Sequence, residues 1–172
     1  MKGPFPKRSA QGEDPTGKEE MRRKDKEITD KKDIEEIVKK ATVCRIGLSA
    51  EEEPYVFPVN YGYHEGCLYF HSAQQGQKIE MMRKNPRVCF QMDTDVEIVP
   101  AEKACDWSIK YKSVLGFGKA EFLHSLEEKK HALKTIMSQY SDQEYTFAEE
   151  SLASVCIVCI HIEKMTGKKT GY

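Results

Sequence analysis

The chain has 172 residues, 39% hydrophobic and 32% charged, and its 27 basic and 28 acidic side chains leave a net charge of −1. That length suits one domain with a real core, and the balanced charge argues against nucleic acid, whose binders draw on a basic excess. No apolar run approaches the ~20 residues of a membrane-spanning helix, so no membrane partner is expected either.

Residues 1–27 are rich in Lys, Arg, Glu and Asp, with Pro and Gly near the start and no apolar period. Such a segment buries too little to offset its ordering entropy, so a flexible arm is expected, followed by a single domain over 28–172. The start also lacks the apolar stretch of a secretory signal.

"TDKKDIEEIVKKA" predicts a helix capped by Thr29 or Asp30, with Lys39 and Lys40 near its C-terminal end to suit the dipole. Ile34, Ile37, Val38 and Ala41 give it one narrow apolar face. The pattern then changes to period two. "TVCRIGLS" reads as a strand and "AEEEP" as a turn, and "YVFPVNYGY" reads as a second strand with Tyr55, Phe57, Val59, Tyr61 and Tyr63 on one face. "HEG" joins it to "CLYFHS" as a hairpin. "GQKIEMMRKNP" is a short helix stopped by Asn85-Pro86, and "RVCFQMDTDVEIVP" is a strand running into an acidic loop.

"WSIKYKSVLGFGKAEFLHS" is a long strand whose Gly116 and Gly118 mark a bulge, a bend or a close backbone approach. Ser125 and Glu128 form a capping box for the helix that follows, and "SVCIVCIHIEKMTG" is the last strand. Roughly six strands joined by hairpins, with a few peripheral helices and no βαβ rhythm, predict a mainly β protein built as an antiparallel barrel.

Of the cysteines, Cys44, Cys67, Cys89 and Cys156 fall in strand-like runs and read as small buried hydrophobes of a reducing, cytoplasmic compartment. Cys156-x-x-Cys159, with His161 beyond, invites a zinc reading. Residues three apart on a strand point to opposite faces, however, and no second pair supplies further ligands, so core packing and no metal are expected. No dinucleotide fingerprint, P-loop, H-E-x-x-H or G-x-S-x-G is present.

Three segments carry groups suited to a ligand: "PVNY" (58–61), "FHSAQQGQK" (70–78) and "KYKSVLGFG" (110–118). Lys78 and Lys112 are phosphate-binding candidates, with Ser72 and Ser113 as hydroxyl donors and the Asn60 amide suited to a heterocycle edge. A barrel mouth would gather them, whereas solvated loops would leave them apart.

The stretch "PYVFPVNYGYHEGCLYFHSAQQGQKIEMMRKNPRVCF", together with "YKSVLGFGKAEFL" and "HIEKMTGK", resembles the flavin-binding split-barrel proteins of the pyridoxamine 5′-phosphate oxidase superfamily. Within them it looks most like the Nim-type group, named for 5-nitroimidazole resistance, from about Met21 to Lys168. The resemblance implies an FMN-binding split β-barrel, Greek-key-like, and a homodimer with one FMN at each of two sites in the subunit interface.

Carried over by position, Val59, Asn60 and Tyr61 would hold the ring largely through their backbone, with His71 and Ser72 along the ring and ribityl side. Lys78, Lys112 and Ser113 would meet the phosphate, and Thr166 and Lys168 would reach the cofactor from the last strand. Lys112 stands where the family commonly has arginine, which keeps the charge and loses the bidentate fork.

The function implied is an FMN-dependent oxidoreductase passing electrons or hydride from a reduced donor, such as NAD(P)H, to a small aromatic or nitro-type acceptor. His71 would be the catalytic side chain at the reacting edge. An FMN carrier or redox sensor without turnover is the alternative. Haem or tetrapyrrole binding comes third, resting on His124 and His131 sharing one helix face. Oxidation of pyridoxamine phosphate itself is disfavoured, because outside the arm only Arg45, Arg83 and Arg87 are available for a second phosphate pocket.

Overall fold

In the computed structural model the described residues are 23–172. The arm expected over 1–27 lies outside them as far as residue 22. Its last residues form a 3₁₀ turn, Lys24–Lys26, and the short strand β1, Glu27–Ile28, which pairs antiparallel with the C-terminal strand.

Helix α1, Lys31–Lys40, is capped by the Asp30 carboxylate, which accepts from Lys32 N–H at 2.8 Å. Ile34, Ile37 and Val38 bury its apolar face as the spacing predicts. Strands β2 (Cys44–Ala50) and β3 (Glu53–Val59) follow as a hairpin. The stretch expected as one strand is broken at Asn60 and Tyr61, and β4 (Gly62–His64) is separate. The N–H of Tyr61 leaves the ladder and donates instead to the Tyr140 hydroxyl at 2.9 Å, so the break costs no buried donor. Strand β5 (Cys67–Ser72) pairs with β4 as the expected hairpin.

Helix α2 (Gln77–Lys84), strand β6 (Arg87–Val99) and strand β7 (Ser108–Leu123) come next. Helix α3 (Leu126–Ser138) carries the predicted capping box between Ser125 and Glu128. His124 lies before that cap, so His124 and His131 do not share one helix as expected. A six-residue helix not foreseen from the sequence, α4 (Glu149–Ser154), precedes β8 (Cys156–Thr170).

The strands follow the order β3-β2-β6-β7-β8-β5-β4, every pair antiparallel. No ladder joins the two ends of this path. Side chains close it instead: Phe57 of β3 meets Phe70 of β5 edge-on at 6.1 Å between centroids. The sheet thus wraps around a core including Ile46, Leu68, Phe70, Phe90, Met92 and Ile160, as the predicted mainly antiparallel barrel requires.

Gly116 and Gly118 both do what glycines in a strand were expected to do. A Cβ on Gly116 would lie 2.1 Å from the Phe90 ring, and the β7/β8 register shifts between Phe117 and Gly118. No helix among the described residues is long and apolar enough to cross a membrane.

Candidate functional site

Adjacent residues of a strand point to opposite faces, and that alternation sorts the candidate residues. On β5, Phe70 and Ser72 turn inward to the barrel, while Tyr69 and His71 turn outward. Ser72 is 8% exposed, yet its Oγ has no hydrogen-bond partner among the described residues. His71, opposite Ile157 of β8, is exposed.

The chain then crosses a short loop, pinned where the Gln74 amide donates to Ser154 O at 2.8 Å. It enters α2 at Gly76, with φ of 128°, a conformation that favours glycine. Gly76 supplies no side-chain cap, so the N–H groups of the first turn of α2 have no side-chain acceptor. Lys78 sits in that turn with Nζ 5.1 Å from the Phe57 ring centroid, and it forms no ion pair among the described residues. An unpartnered hydroxyl, uncapped helix N–H groups and a free ammonium thus belong to one strand-loop-helix segment. The Ile79 and Glu80 N–H groups already donate to Gly76 O at 3.0 and 3.2 Å, so the donors open to an anion are the hydroxyl, the ammonium and the N–H groups ahead of Ile79.

Val59 and Tyr61 are buried and Asn60 is exposed. The Tyr61 side chain is structural: its hydroxyl donates into the C-terminal carbonyls of α1, against Val38 O and 2.9 Å from Ala41 O. The Gln139 amide caps the same helix end, 2.8 Å from Lys39 O and 2.9 Å from Ala41 O. Burial pushes the Tyr61 phenol far above its ordinary pKa.

The remaining candidates lie on the outer face of the sheet. Ser113, Thr166 and Lys168 share a groove of about 550 Å³ across β6, β7 and β8 with Tyr111, Ile109 and Leu115. Lys112 alternates to the other face. There it lies 3.5 Å from Asp95, and its Nζ sits 5.4 Å from the Tyr172 ring centroid. The structure therefore keeps Lys112 apart from Ser113 within one chain. A recess of about 690 Å³ along α1, β4 and β8 contains none of the predicted residues.

Among the described residues, Arg45 and Arg83 do not converge on a second phosphate pocket. Arg45 pairs with Asp93 at 3.6 Å, and Arg83 stacks on Phe122 with 5.5 Å to its ring centroid.

One cluster escaped the sequence reading. Cys156 and Cys159 face opposite ways as argued, but the register of β5 with β8 sets Cys67 directly opposite His161. Cys67, Cys159 and His161 then place their sulfurs and a ring nitrogen within 4.8 Å of one another. Burial, and then the neighbouring Cys67, push the Cys159 thiol up to about 12. Only the strand register brings these three together, so no spacing along the chain could have shown it.

The fold defines the chain as a split β-barrel protein of the kind seen in flavin-binding proteins. It belongs to the pyridoxamine 5′-phosphate oxidase family, whose sequence pattern matches residues 30–169. A solved structure of a candidate 5-nitroimidazole antibiotic resistance protein from Bacteroides thetaiotaomicron is 35% identical, with a TM-score of 0.75 over 83% of this chain and 86% of that one. A FAD-binding protein from Mesorhizobium loti is 27% identical, with a TM-score of 0.61 over 83% of this chain and 96% of that one. The FAD and haem binding protein from Mycobacterium smegmatis, 15% identical, shares the fold with a TM-score of 0.76 over 86% of this chain and 74% of its own. Among curated sequences, an uncharacterised protein of Rhizobium meliloti is 29% identical over 65 residues, a match spanning 38% of this chain and 42% of that protein.

Proposed function

We propose that the chain binds FMN and acts as a flavin-dependent oxidoreductase, moving electrons from a reduced donor such as NAD(P)H to a small aromatic or nitro-type acceptor. The carrying observation is the Ser72 hydroxyl, buried without a partner among the described residues at the end of the strand whose loop leads into α2, where the helix start has no side-chain cap and Lys78 forms no ion pair with a described residue. A buried orphan hydroxyl is costly unless something fills its valence. A phosphate at a helix N-terminus takes donors from the backbone, a hydroxyl and an ammonium together, so the residues fit the cofactor. FMN, when bound, supplies the hydride and electron chemistry.

In this reading Ser72, Lys78 and the first turn of α2 hold the phosphate. Val59 and Asn60 border the ring, Asn60 through its exposed amide. The N–H of Tyr61 is already taken by Tyr140, so Tyr61 contributes position rather than a donor. His71, exposed at the end of the same strand, is the proposed side chain for orienting an acceptor or moving a proton. Ser113, Thr166 and Lys168 enter from the outer face of a second copy, because a homodimer unites the two faces on which one chain displays its candidates. Similarity to a candidate nitroimidazole resistance protein supports the nitro-type acceptor. Fold alone does not set the substrate.

The test is anaerobic titration of the purified chain with FMN, followed by NADH or NADPH and then a nitroimidazole, monitored by flavin absorbance. Bleaching by the donor and recovery with the acceptor is the expected result, and His71→Ala should abolish recovery while FMN remains bound. Tight FMN that no donor bleaches would make the protein a carrier or sensor. Absence of FMN binding would overturn the reading altogether.

A further inference from the structure

We propose that Cys67, Cys159 and His161 form a binding site for a thiophilic divalent cation of the zinc class, with the two sulfurs and the imidazole Nδ1 as ligands. A tetrahedral zinc ion bonds sulfur at about 2.3 Å and nitrogen at about 2.0–2.1 Å, which sets a sulfur and a nitrogen ligand about 3.6 Å apart. Cys67 Sγ and His161 Nδ1 are 3.6 Å apart, and the whole set lies within 4.8 Å.

The outward ring nitrogen is held as a metal-ligating histidine is usually held. His161 Nε2 lies 2.5 Å from the Glu121 carboxylate on β7, which leaves Nδ1 turned toward the two sulfurs. A carboxylate on the far nitrogen fixes the tautomer and raises the basicity of the other. Three strands thereby contribute: β5 and β8 supply ligands, and β7 orients one of them. Cys159 is 2% exposed and His161 is exposed, so the site opens on one side, where water can complete four-coordination.

A disulfide is the competing use of two close cysteines. Cys67 pairs with His161 and Tyr69 with Cys159, so the two cysteines are diagonal cross-strand neighbours. Diagonal positions stand about 7–8 Å apart at Cα, beyond the range a disulfide spans without backbone movement. Two soft sulfurs and an imidazole select zinc or cobalt over magnesium or calcium. Because the cluster lies apart from Ser72 and α2, this site stands whether or not the chain uses a flavin.

The experiment loads the full chain, purified under a phosphine reductant, with Zn²⁺ and counts retained metal after dialysis. Co²⁺ loading then reports thiolate ligation through its charge-transfer absorption. About one zinc per chain and a sulfur-to-cobalt band are expected. His161→Gln and Cys67→Ser should each weaken binding at least tenfold, and Glu121→Gln by about tenfold to a hundredfold. Cys105→Ser, at an exposed cysteine outside the cluster, should change nothing. His161 is exposed, so His161→Gln keeps its fold and the question answerable even where replacing the buried Cys159 does not. No retained metal, a cobalt spectrum without a sulfur band, or equal retention in His161→Gln and Cys67→Ser would each overturn the proposal.

Discussion

Lys78 is a cation whose contact in this structure is the face of Phe57, a weak partner for a group within the first turn of a helix. A like charge at a helix N-terminus is unfavourable against the dipole, so the position makes sense as half of a pair with an anion. Lys78→Ala should weaken FMN binding by the loss of a charge-assisted contact, about 1.5–3 kcal/mol, or more than tenfold in affinity. Unchanged affinity in a fluorescence titration would remove Lys78 from the site. Lys112 has a different setting. Asp95 receives the ammonium of Lys40 and lies near that of Lys112, and the hydrogen bond from Lys40 holds its carboxyl below the ordinary value. A carboxyl more acidic folded than unfolded adds stability that is present above its unfolded value of about 3.9 and is lost as pH falls through the folded one. Asp95→Asn should therefore lower Tm at neutral pH, with the gap from the parent closing below pH ~4. Asn tolerates the left-handed backbone that Asp95 adopts, with φ of 55°, so backbone strain does not confuse the comparison. A gap that stays constant across pH would sink this account of the ion cluster.

At the scale of elements, β7 depends on having no side chain at Gly116, where the Phe90 ring of β6 fills the space. Gly116→Ala should destabilise the fold by about 1–3 kcal/mol through overpacking, measured by denaturant unfolding. Phe90→Leu in the same background should recover part of the loss, because only a clash between these two residues is relieved that way. Both glycines, the capping box at Ser125, the cap at Asp30 and the alternation of the strands were legible in the sequence, since each is a local rule. The break at Asn60 was not, because what stabilises it is Tyr140, 79 residues away. Helix α4 is only six residues long and shows no full amphipathic period. The candidate site was half legible. Ser72, Lys78 and Gly76 follow one another along a strand, loop and helix, and their proximity is sequential. Lys112 and Ser113, grouped as candidates from one segment of the chain, are parted by the period-two rule itself. Cross-strand neighbours such as Cys67 and His161 are set by register, which no local pattern states.

The whole molecule displays its candidates on two faces: Ser72, Lys78 and α2 at one end of the barrel, and Ser113, Thr166 and Lys168 in the outer groove. The groove is set in an unusually apolar surface. Val96, Ile98, Ile109, Leu115 and Phe117 are exposed along it, the first two at 57% and 64%. A monomer rarely leaves so many large apolar groups open along one sheet face, whereas an interface burying more than about 1,000 Å² accounts for them. Burial of that face against a second copy is what would bring the outer-groove residues of one chain to the Ser72 end of another. Leu115, at the centre of β7 and 43% exposed, is the place to test this. Leu115→Glu should leave the fold intact by circular dichroism, because the side chain already meets solvent in the single chain, yet it should yield a monomer by light scattering. FMN affinity should fall at least tenfold with it, since roughly 1.4 kcal/mol of contacts from the second copy suffices for that change. A monomer that still binds FMN at full strength would confine the flavin site to one chain and leave the apolar face to some other partner.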